Sequence, residues 1–345
     1  TDAAGNTTTK NVSLNIELNP SLGVVFNKVT DDNLVNLAES LATQTLTGKI
    51  TGNALGAKVS LTIAGIYTVK DISVAADGTY SIELPPSIWT GLMANTLALR
   101  VDVTDSYGNT TFGTTTVNLA IANLPAISNV LVAKDNVINL VESGSDQVIS
   151  GVVSQAANVK TLVLTLGGQT IQATVNALGG WTASLPTDVL KALPDGTATV
   201  GVTITDTSGN VINTSASFNV VTHNLPVISL DTLFSNGILS IPELAGALLS
   251  GAATNLAGKT LTIQVGSTTA FTTNVDGTGH WSVNLPDTVK TALQQLGTGS
   301  VSITITGTDQ YENTVSQTGS IKLDLVAPVL QSMTLFGDNL LNLLE

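Results

Sequence analysis

The stretch Thr205-Asp206-Thr207-Ser208-Gly209-Asn210 decides how this chain is organised. Its aspartate can bond the nearby backbone, and its glycine and asparagine tolerate positive φ, so the pattern predicts a turn. The same pattern, Thr-Asp-x-x-x-Asn, begins again at Thr1, Thr104 and Thr308, and successive aspartates of the four copies are 103, 101 and 103 residues apart. The chain is therefore predicted to be an array of one module of about 100 residues, which is long enough to enclose its own core.

A second marker, an eight-residue segment that ends in glutamate, recurs with about the same spacing as the turn. It occupies residues 32–39, 135–142, 236–243 and 338–345. A proline follows the last predicted strand of each module, and its fixed φ makes the linker short and stiff. These prolines are Pro20, Pro125, Pro226 and Pro328. We therefore expect the closing strand of a preceding module at 1–18, whole modules at 19–122, 123–223 and 224–326, and the opening strand of a following module at 327–345.

Segments rich in Val, Ile, Thr and Leu alternate with turn signals throughout each module. Period-two alternation at a spacing of roughly 8 to 12 residues is typical of an antiparallel sandwich. An aromatic residue follows a predicted hairpin turn in each module, and we interpret Tyr80, Trp181 and Trp281 as core anchors. Leu-Pro comes next, and then a stretch such as 187–193 or 287–293 that predicts one helical turn. The predicted fold is all-β, a tandem of immunoglobulin-like antiparallel β-sandwiches arranged as an extended rod.

Composition excludes several classes of function. The chain has no cysteine, so it has no disulfide framework, thiol nucleophile or thiolate metal site. Its net charge is -13 with few charged residues, which argues against a nucleic acid or anionic membrane partner. No apolar run approaches the about 18 residues of a membrane span and no signal peptide is visible, so we expect an internal slice of a longer protein whose partners are its own neighbouring modules.

The carboxylate clusters are the candidates for chemistry. Residues 32–39 look like the second half of an EF-hand type calcium loop, and calcium takes 6 to 8 oxygens, so a second loop must supply the remaining ligands. In a sandwich of this kind the chain enters at the end where the Thr-Asp-x-x-x-Asn turn lies. We therefore expect Asp105 near Asp32 and Glu39, Asp206 near Asp135 and Glu142, and Asp309 near Glu243, with calcium at the junction to the preceding module. The candidate ligands are Asp32, Leu34, Asn36, Glu39, Asp105, Asp135, Val137, Asn139, Glu142, Asp206, Asn236, Glu243 and Asp309, where Leu34 and Val137 offer carbonyl oxygens.

The same residues also suit purely local structure. The segment 36–39 and its counterparts are acceptable capping boxes, in which Asn or Ser caps a helical turn and Glu reaches back to it. Thr-Asp-x-x-Gly-Asn is also an ordinary turn. The third module departs most from the pattern, with Asn236 for Asp, Ser240 for Asn and Glu312 for Gly. The metal interpretation and the local interpretation both remain open at the level of sequence.

The combined motifs carry a resemblance that covers essentially the whole chain. A linker proline, Asp-Asn-x-Ile-Asn-x-x-Glu, Asp-Gly-x-Trp-x-x-x-Leu-Pro and Thr-Asp-x-x-Gly-Asn together resemble the bacterial immunoglobulin-like repeats of giant type I-secreted adhesins and biofilm-associated proteins. The resemblance implies a sandwich fold, calcium near the module junctions and an extracellular or cell-surface place. It also implies a role as the stalk between a membrane anchor and an adhesive tip, with host-cell or matrix glycans bound by other parts of the protein.

Enzymatic function is not expected from this sequence. His223 and His280 lie in non-equivalent positions, and no nucleophile elbow, HExxH motif or phosphate loop appears. The alternative to a stalk is an array of carbohydrate-binding modules, in which an exposed Trp89, or His280 with Trp281, stacks on sugar rings.

Overall fold

The computed structural model describes residues 1–14, 21–52, 54–63, 66–234 and 236–330. The last copy of the glutamate marker, at 338–345, lies outside the described residues, as do Pro20 and part of each predicted terminal strand. The strands and helices below belong to the described ranges.

In its described residues the first module is built from strands, a short α-helix that begins directly after the second strand, and a 3₁₀ turn. Its elements are β1 (Gly23–Phe26), β2 (Leu34–Asn36), α1 (Leu37–Ser40), β3 (Gln44–Thr51), β4 (Lys58–Ile63), β5 (Tyr67–Ser73), β6 (Thr79–Leu84), a 3₁₀ turn (Pro86–Ile88), β7 (Thr96–Thr104) and β8 (Thr110–Ala120).

The second and third modules follow a similar order, and the second contains an additional short strand and an additional 3₁₀ turn. The second contains β9 (Ile127–Val132), β10 (Val137–Asn139), a 3₁₀ turn (Glu142–Gly144), β11 (Gln147–Val153), a 3₁₀ turn (Ala156–Asn158), β12 (Val159–Leu166), β13 (Gln169–Gln172), β14 (Thr174–Val175), β15 (Gly180–Leu185), α2 (Thr187–Ala192), β16 (Gly196–Asp206) and β17 (Val211–Val221). The third contains β18 (Val227–Ile228), β19 (Ile238–Ser240), α3 (Ile241–Leu244), β20 (Leu248–Thr254), β21 (Thr260–Val265), β22 (Phe271–Asn274), β23 (His280–Asn284), α4 (Asp287–Leu296), β24 (Thr298–Thr308) and β25 (Thr314–Asp324).

Each module pairs a larger sheet with a smaller one. In the described residues the larger sheets run β2-β8-β7-β4-β5, β10-β17-β16-β12-β13 and β19-β25-β24-β21-β22. The smaller sheets run β1-β3-β6, β14-β15-β11-β9 and β18-β20-β23. The predicted all-β class and the tandem of immunoglobulin-like sandwiches are confirmed.

Each module also encloses a hydrophobic core of its own. The buried residues of each core, and the half-buried residues packed against it, fall between 22 and 121, between 127 and 220, or between 228 and 325. No residue is shared between these cores in the described ranges, so we propose that the modules are bounded as the sequence predicts, at 19–122, 123–223 and 224–326.

The aromatic anchors pack against glycines on the neighbouring strand. Tyr80, Trp181 and Trp281 are buried, as predicted. A Cβ added to Gly151 would lie 2.7 Å from the Trp181 ring, and one added to Gly251 would lie 3.0 Å from the Trp281 ring. A glycine is therefore required at position 151 because the flat indole lies directly on its backbone, and at position 251 because a Cβ would meet the Ser229 carbonyl oxygen as well as the indole.

The parallel strand pair at the edge of the larger sheet decides where the acidic segments lie. Strand β2 pairs in parallel with the last residues of β8, so that Leu34 lies opposite Asn118 and Asn36 opposite Ala120. The turn between β7 and β8 lies at the other end of β8, before Thr110. We call these two ends of a module the helix end, which carries residues equivalent to 34–40, and the turn end, which carries the Thr-Asp-x-x-x-Asn turn.

Candidate functional site at the module joints

The Thr-Asp-x-x-x-Asn turn is a closed hydrogen-bonded loop in which the aspartate accepts from its own turn. Asp206 Oδ1 accepts from the backbone N–H of Ser208 at 2.8 Å and of Asn210 at 2.8 Å. Asp206 Oδ2 accepts from the Asn210 side-chain amide at 2.7 Å. Asp309 and Asn313 repeat this pattern at the turn of the third module. The aspartates are thus turn-forming residues, whatever further role they have.

The first module shows the electrostatic consequence of this geometry. The side-chain amide of Asn109 and the backbone N–H groups of Asn109 and Tyr107 donate to Asp105. The Asn109 amide is the largest influence, and together these donors hold the pKa of Asp105 below its ordinary value although desolvation opposes them. The carboxylate is therefore kept ionised by its own turn.

The segments that end in glutamate form capping boxes. Asn36 Oδ1 accepts from the Glu39 N–H at 3.0 Å, and Glu39 Oε2 accepts from the Asn36 N–H at 3.0 Å. The same reciprocal pair joins Asn139 and Glu142 in the second module. Ser240 and Glu243 form the box of the third module. The Ser240 hydroxyl, followed by its backbone N–H, lowers the pKa of Glu243 below its ordinary value.

The first residue of each eight-residue segment also has a local structural role. Asp32 Oδ1 accepts from the Leu34 N–H at 2.9 Å, and Asp135 and Asn236 make the equivalent bond two residues ahead. Asn236 replaces the aspartate of the other modules without changing this bond, because an amide oxygen serves as well as a carboxylate oxygen.

The first joint is formed by the turn end of the second module and the helix end of the first. Asn210 Oδ1 accepts a hydrogen bond of 2.6 Å from the Leu37 N–H, and Asn210 Nδ2 donates to the Ala120 carbonyl at 2.7 Å. Leu37 is the first residue of α1, so its N–H has no partner within the helix. A single side-chain amide thus satisfies a donor and an acceptor that the neighbouring module leaves open.

The second joint repeats the first with Asn313 of the third module. Asn313 Oδ1 accepts from the Leu140 N–H at 2.8 Å, and Asn313 Nδ2 donates to the Val221 carbonyl at 3.1 Å. Asn210 and Asn313 are each only 2% exposed. We call this arrangement the asparagine clasp.

The pairing of turns with acidic segments differs from the one predicted. The expected neighbours Asp105 with Asp32 and Glu39, Asp206 with Asp135 and Glu142, and Asp309 with Glu243 were assigned within one module, and this is wrong. The chain does enter at the turn end, but β1 carries it along the sandwich before the acidic segment begins, and β2 then aligns with the far end of β8. The eight residue steps from Thr110 to Asn118 span about 26 Å of extended strand. The turn therefore faces the helix end of the preceding module.

The corrected pairing brings one glutamate and one aspartate turn to each joint. Glu39 and Asp206 belong to one hydrogen-bonded network that runs through Asn36, Leu37 and Asn210, and Glu142 and Asp309 belong to the equivalent network at the second joint. In the described parts of the chain no three acidic or histidine side chains converge. The candidate ligands are nevertheless all oxygens, from carboxylates, amides and carbonyls, so the donor set suits calcium in kind. The metal role of the predicted ligands stays a prediction.

The predicted sugar-stacking residues do not form exposed platforms. Trp89 is 2% exposed and Trp281 is 3% exposed, because both rings lie in module cores. His280 is exposed, and its backbone N–H donates to Asp276. The stacking role predicted for these tryptophans is therefore wrong.

Sequence reasoning missed two functional features of the joints. The final Asn of the Thr-Asp-x-x-x-Asn pattern was interpreted only as a turn residue, although its presence in four copies was a signal that it does more. The pairing across modules had no such signal, since Leu37 and Asn210 are 173 residues apart.

No helix among the described residues is long and apolar enough to cross a membrane.

Comparison with known proteins gives structural matches alone. No protein-family model matches the chain, and no curated protein matches it. A solved structure that concerns host cell-surface retention of a 1.5-MDa bacterial ice-binding adhesin has 27% identity, covers 89% of this chain and 99% of that chain, and has a TM-score of 0.44. A calcium-stabilised adhesin with which an Antarctic bacterium binds ice has 28% identity, with 90% and 76% covered and a TM-score of 0.43.

A single bacterial immunoglobulin-like domain from the M. primoryensis ice-binding adhesin also matches. It has 26% identity, covers 30% of this chain and 99% of that chain, and has a TM-score of 0.24. Because these TM-scores are all below 0.5, the functional assignment rests on the contacts within this chain. The chain is similar to repeat regions of large bacterial adhesins, in agreement with the resemblance carried by its motifs.

Proposed function

We propose that this chain is part of the stalk of a large bacterial surface adhesin that acts in cell adhesion or biofilm formation. Its modules stand in series and hold an adhesive region away from the cell. The observation that carries the proposal is the asparagine clasp, which joins the same two ends of adjacent modules in the same way at both joints. A repeated, buried, directional contact is what a stalk needs to transmit force and keep its length.

Calcium is the second part of the proposal. Glu39 with Asp206, and Glu142 with Asp309, would hold the ion together with amide and carbonyl oxygens of the same joint. A bound ion supplies positive charge between the two acidic groups, and a ligand that binds only the folded joint stabilises it by mass action. The proposal is supported by the donor set of each joint, whose carboxylate, amide and carbonyl oxygens suit calcium in kind.

The proposed place is the bacterial surface or the extracellular medium. The motifs resemble repeats of secreted adhesins, and the acidic, cysteine-free composition suits a spacer outside the cell. A structural role of this kind requires no catalysis, which is why we propose a non-enzymatic function.

Small-angle X-ray scattering of the whole 345-residue chain tests both parts. With calcium we expect the profile of an elongated particle whose cross-section is that of one module. With EDTA we expect a more variable shape, because the joints lose the ion but keep the clasp. A compact profile in both conditions would refute the stalk, whereas identical elongated profiles would refute only the role of calcium.

A further inference from the structure

The linker between the second and third modules is held by one carboxylate. Asp195 accepts hydrogen bonds from three consecutive linker N–H groups: Thr222 at 2.8 Å, His223 at 3.0 Å and Asn224 at 2.6 Å. The Thr222 hydroxyl and the His223 ring add contacts of 3.2 Å each. Charge-assisted bonds of this kind are about twice as strong as neutral ones.

Asp195 lies at the end of the β16–β17 pair, beside the point where the chain leaves the second module for the third. It immediately precedes β16, and with the turn residues Asp309 and Tyr311 it lines a hollow of ≈ 410 Å³ between the two modules. Burial alone would raise the pKa of Asp195, but the Thr222 and Asn224 N–H groups and the His223 ring lower it by more, leaving it well below its ordinary value. The folded joint therefore favours the charged carboxylate.

A side chain of the third module also forms hydrogen bonds with this linker. The Asn255 side-chain amide donates to the carbonyl and side-chain oxygens of Asn224 and to the carbonyl of Leu225, at 3.1 to 3.2 Å. The linker is thus tied to the module before it and to the module after it.

Among the described residues, the linker of the first joint has no counterpart to the hydrogen bonds of Asp195. Strand register places Ala94 of the first module and Thr298 of the third at the position of Asp195. Ala94 has no group that can accept a hydrogen bond from linker N–H groups. Within the described ranges, the backbone of residues 121–125 makes no hydrogen bond to a side chain, although its neighbours Ala120 and Ala126 do.

We infer that Asp195 is a positioning residue that locks the joint between the second and third modules, and that the joint between the first and second modules is the more compliant one. Both joints have the asparagine clasp, so the difference lies in the linker. The two joints described in this chain then differ in stiffness and do not form a uniform series. This inference rests on the proposed stalk function only for its biological meaning, since the lock can be measured without any ligand.

Spin-label distance measurements on the whole chain test the inference directly. The chain has no cysteine, so label sites can be introduced without removing native residues. Thr114, Ser215 and Thr318 are exposed strand residues at equivalent positions in the three modules. The pair Thr114→Cys with Ser215→Cys spans the first joint, and Ser215→Cys with Thr318→Cys spans the second.

All measurements are made in EDTA, so that calcium plays no part in the result. We expect a narrower distance distribution across the second joint than across the first. Asp195→Ala should widen the second-joint distribution toward that of the first joint and leave the first unchanged. Asp188→Ala is the matched control, since it removes an exposed acid of the same module that makes no hydrogen bond to the linker among the described residues.

Asp195→Asn keeps the size of the side chain and serves as the second variant. It replaces one acceptor oxygen by an NH2 group that faces donors, so hydrogen exchange of the Thr222 to Asn224 amides should speed up even when the fold is intact. Equal widths at the two joints in the wild type, or unchanged widths and exchange rates in both Asp195 variants, would overturn the inference. The stalk proposal does not depend on this outcome, because scattering tests it separately. The lock can likewise be present or absent whether or not the chain is a stalk.

Discussion

The side-chain oxygen of Asn210 lies 2.6 Å from the backbone nitrogen of Leu37, a residue of the preceding module. The contact joins a turn to the first N–H of a short helix, and both groups would otherwise need water. Its repetition by Asn313 and Leu140 makes it a property of the module and not of one joint.

Asn210→Ala should loosen the first joint. The change leaves the Leu37 N–H and the Ala120 carbonyl without their protein partner, and an unpaired polar group at a buried site costs about 1 to 3 kcal/mol. Hydrogen exchange of the Leu37 amide should therefore become faster by roughly 5- to 150-fold for that range. Asn109→Ala is the control, because Asn109 makes the same bonds within its own turn but has no cross-module bond among the described residues. A similar effect of both substitutions on amide exchange at their modules would show that the turn, and not the clasp, is what matters.

Calcium titration by calorimetry should find two joint sites of similar affinity in this chain. Each joint carries one glutamate and one aspartate turn, and ligand charge is a main determinant of calcium affinity. Glu39→Gln should remove the site at the first joint and Glu142→Gln the site at the second, while each capping box survives because glutamine also completes it. Glu83→Gln, an exposed acid on β6, is the control for net charge. Titration of the wild-type chain without measurable binding would show that the joints work without the ion.

Gly151→Ala should destabilise the second module. The added Cβ would lie 2.7 Å from the buried Trp181 ring, and overpacking of a core costs about 1 to 3 kcal/mol. For a module of this size each kcal/mol lowers Tm by roughly 4 to 8 °C, which calorimetric melting can resolve. Gly144→Ala is the matched control in the same module, since its Cβ meets nothing within 4 Å. Equal melting of the two variants would mean that the indole can shift at little cost.

Acid should release the lock formed by Asp195. The folded-state pKa of this carboxyl is lowered, so its contribution to stability is present above the ordinary aspartate pKa of about 3.9 and is lost progressively as the pH falls below that value. The difference in second-joint distance width between the wild type and Asp195→Asn should therefore be full at pH 7 and shrink below about pH 4. Asp195→Asn has no titratable group at position 195, whereas the other acids titrate in both proteins. The effect of those other acids on the distance width is therefore removed when the two proteins are compared. The loss is complete only when the pH reaches the lowered folded-state pKa, so a difference that stays constant even at about pH 2 would mean that the charge is not what holds the linker.

Much of the candidate site was predictable because it is local. The turn formed by Asp206 and Asn210 and the box formed by Asn36 and Glu39 each close within five residues, so the side chains and the backbone they bond are adjacent in the sequence. The burial of Trp181 was predictable for a related reason, since alternation places its position on the inward face of a strand. The burial of Trp89 was not, because it follows a 3₁₀ turn whose packing depends on the rest of the core.

The sequence by itself determined the period of the array, the sandwich class, the turns, the caps and the aromatic core, since all of these follow from spacing and alternation along the chain. The tertiary structure alone decided which turn meets which acidic segment. A short parallel strand pair carries Leu34 to Asn36 to the far end of β8, and this places Leu37, two residues before Glu39, against the turn of the next module. The tertiary structure also decided that Asp195 accepts hydrogen bonds from a linker about 28 residues further along the chain. Hydrogen bonds of this kind depend on where a folded sheet ends and not on any repeat in the sequence.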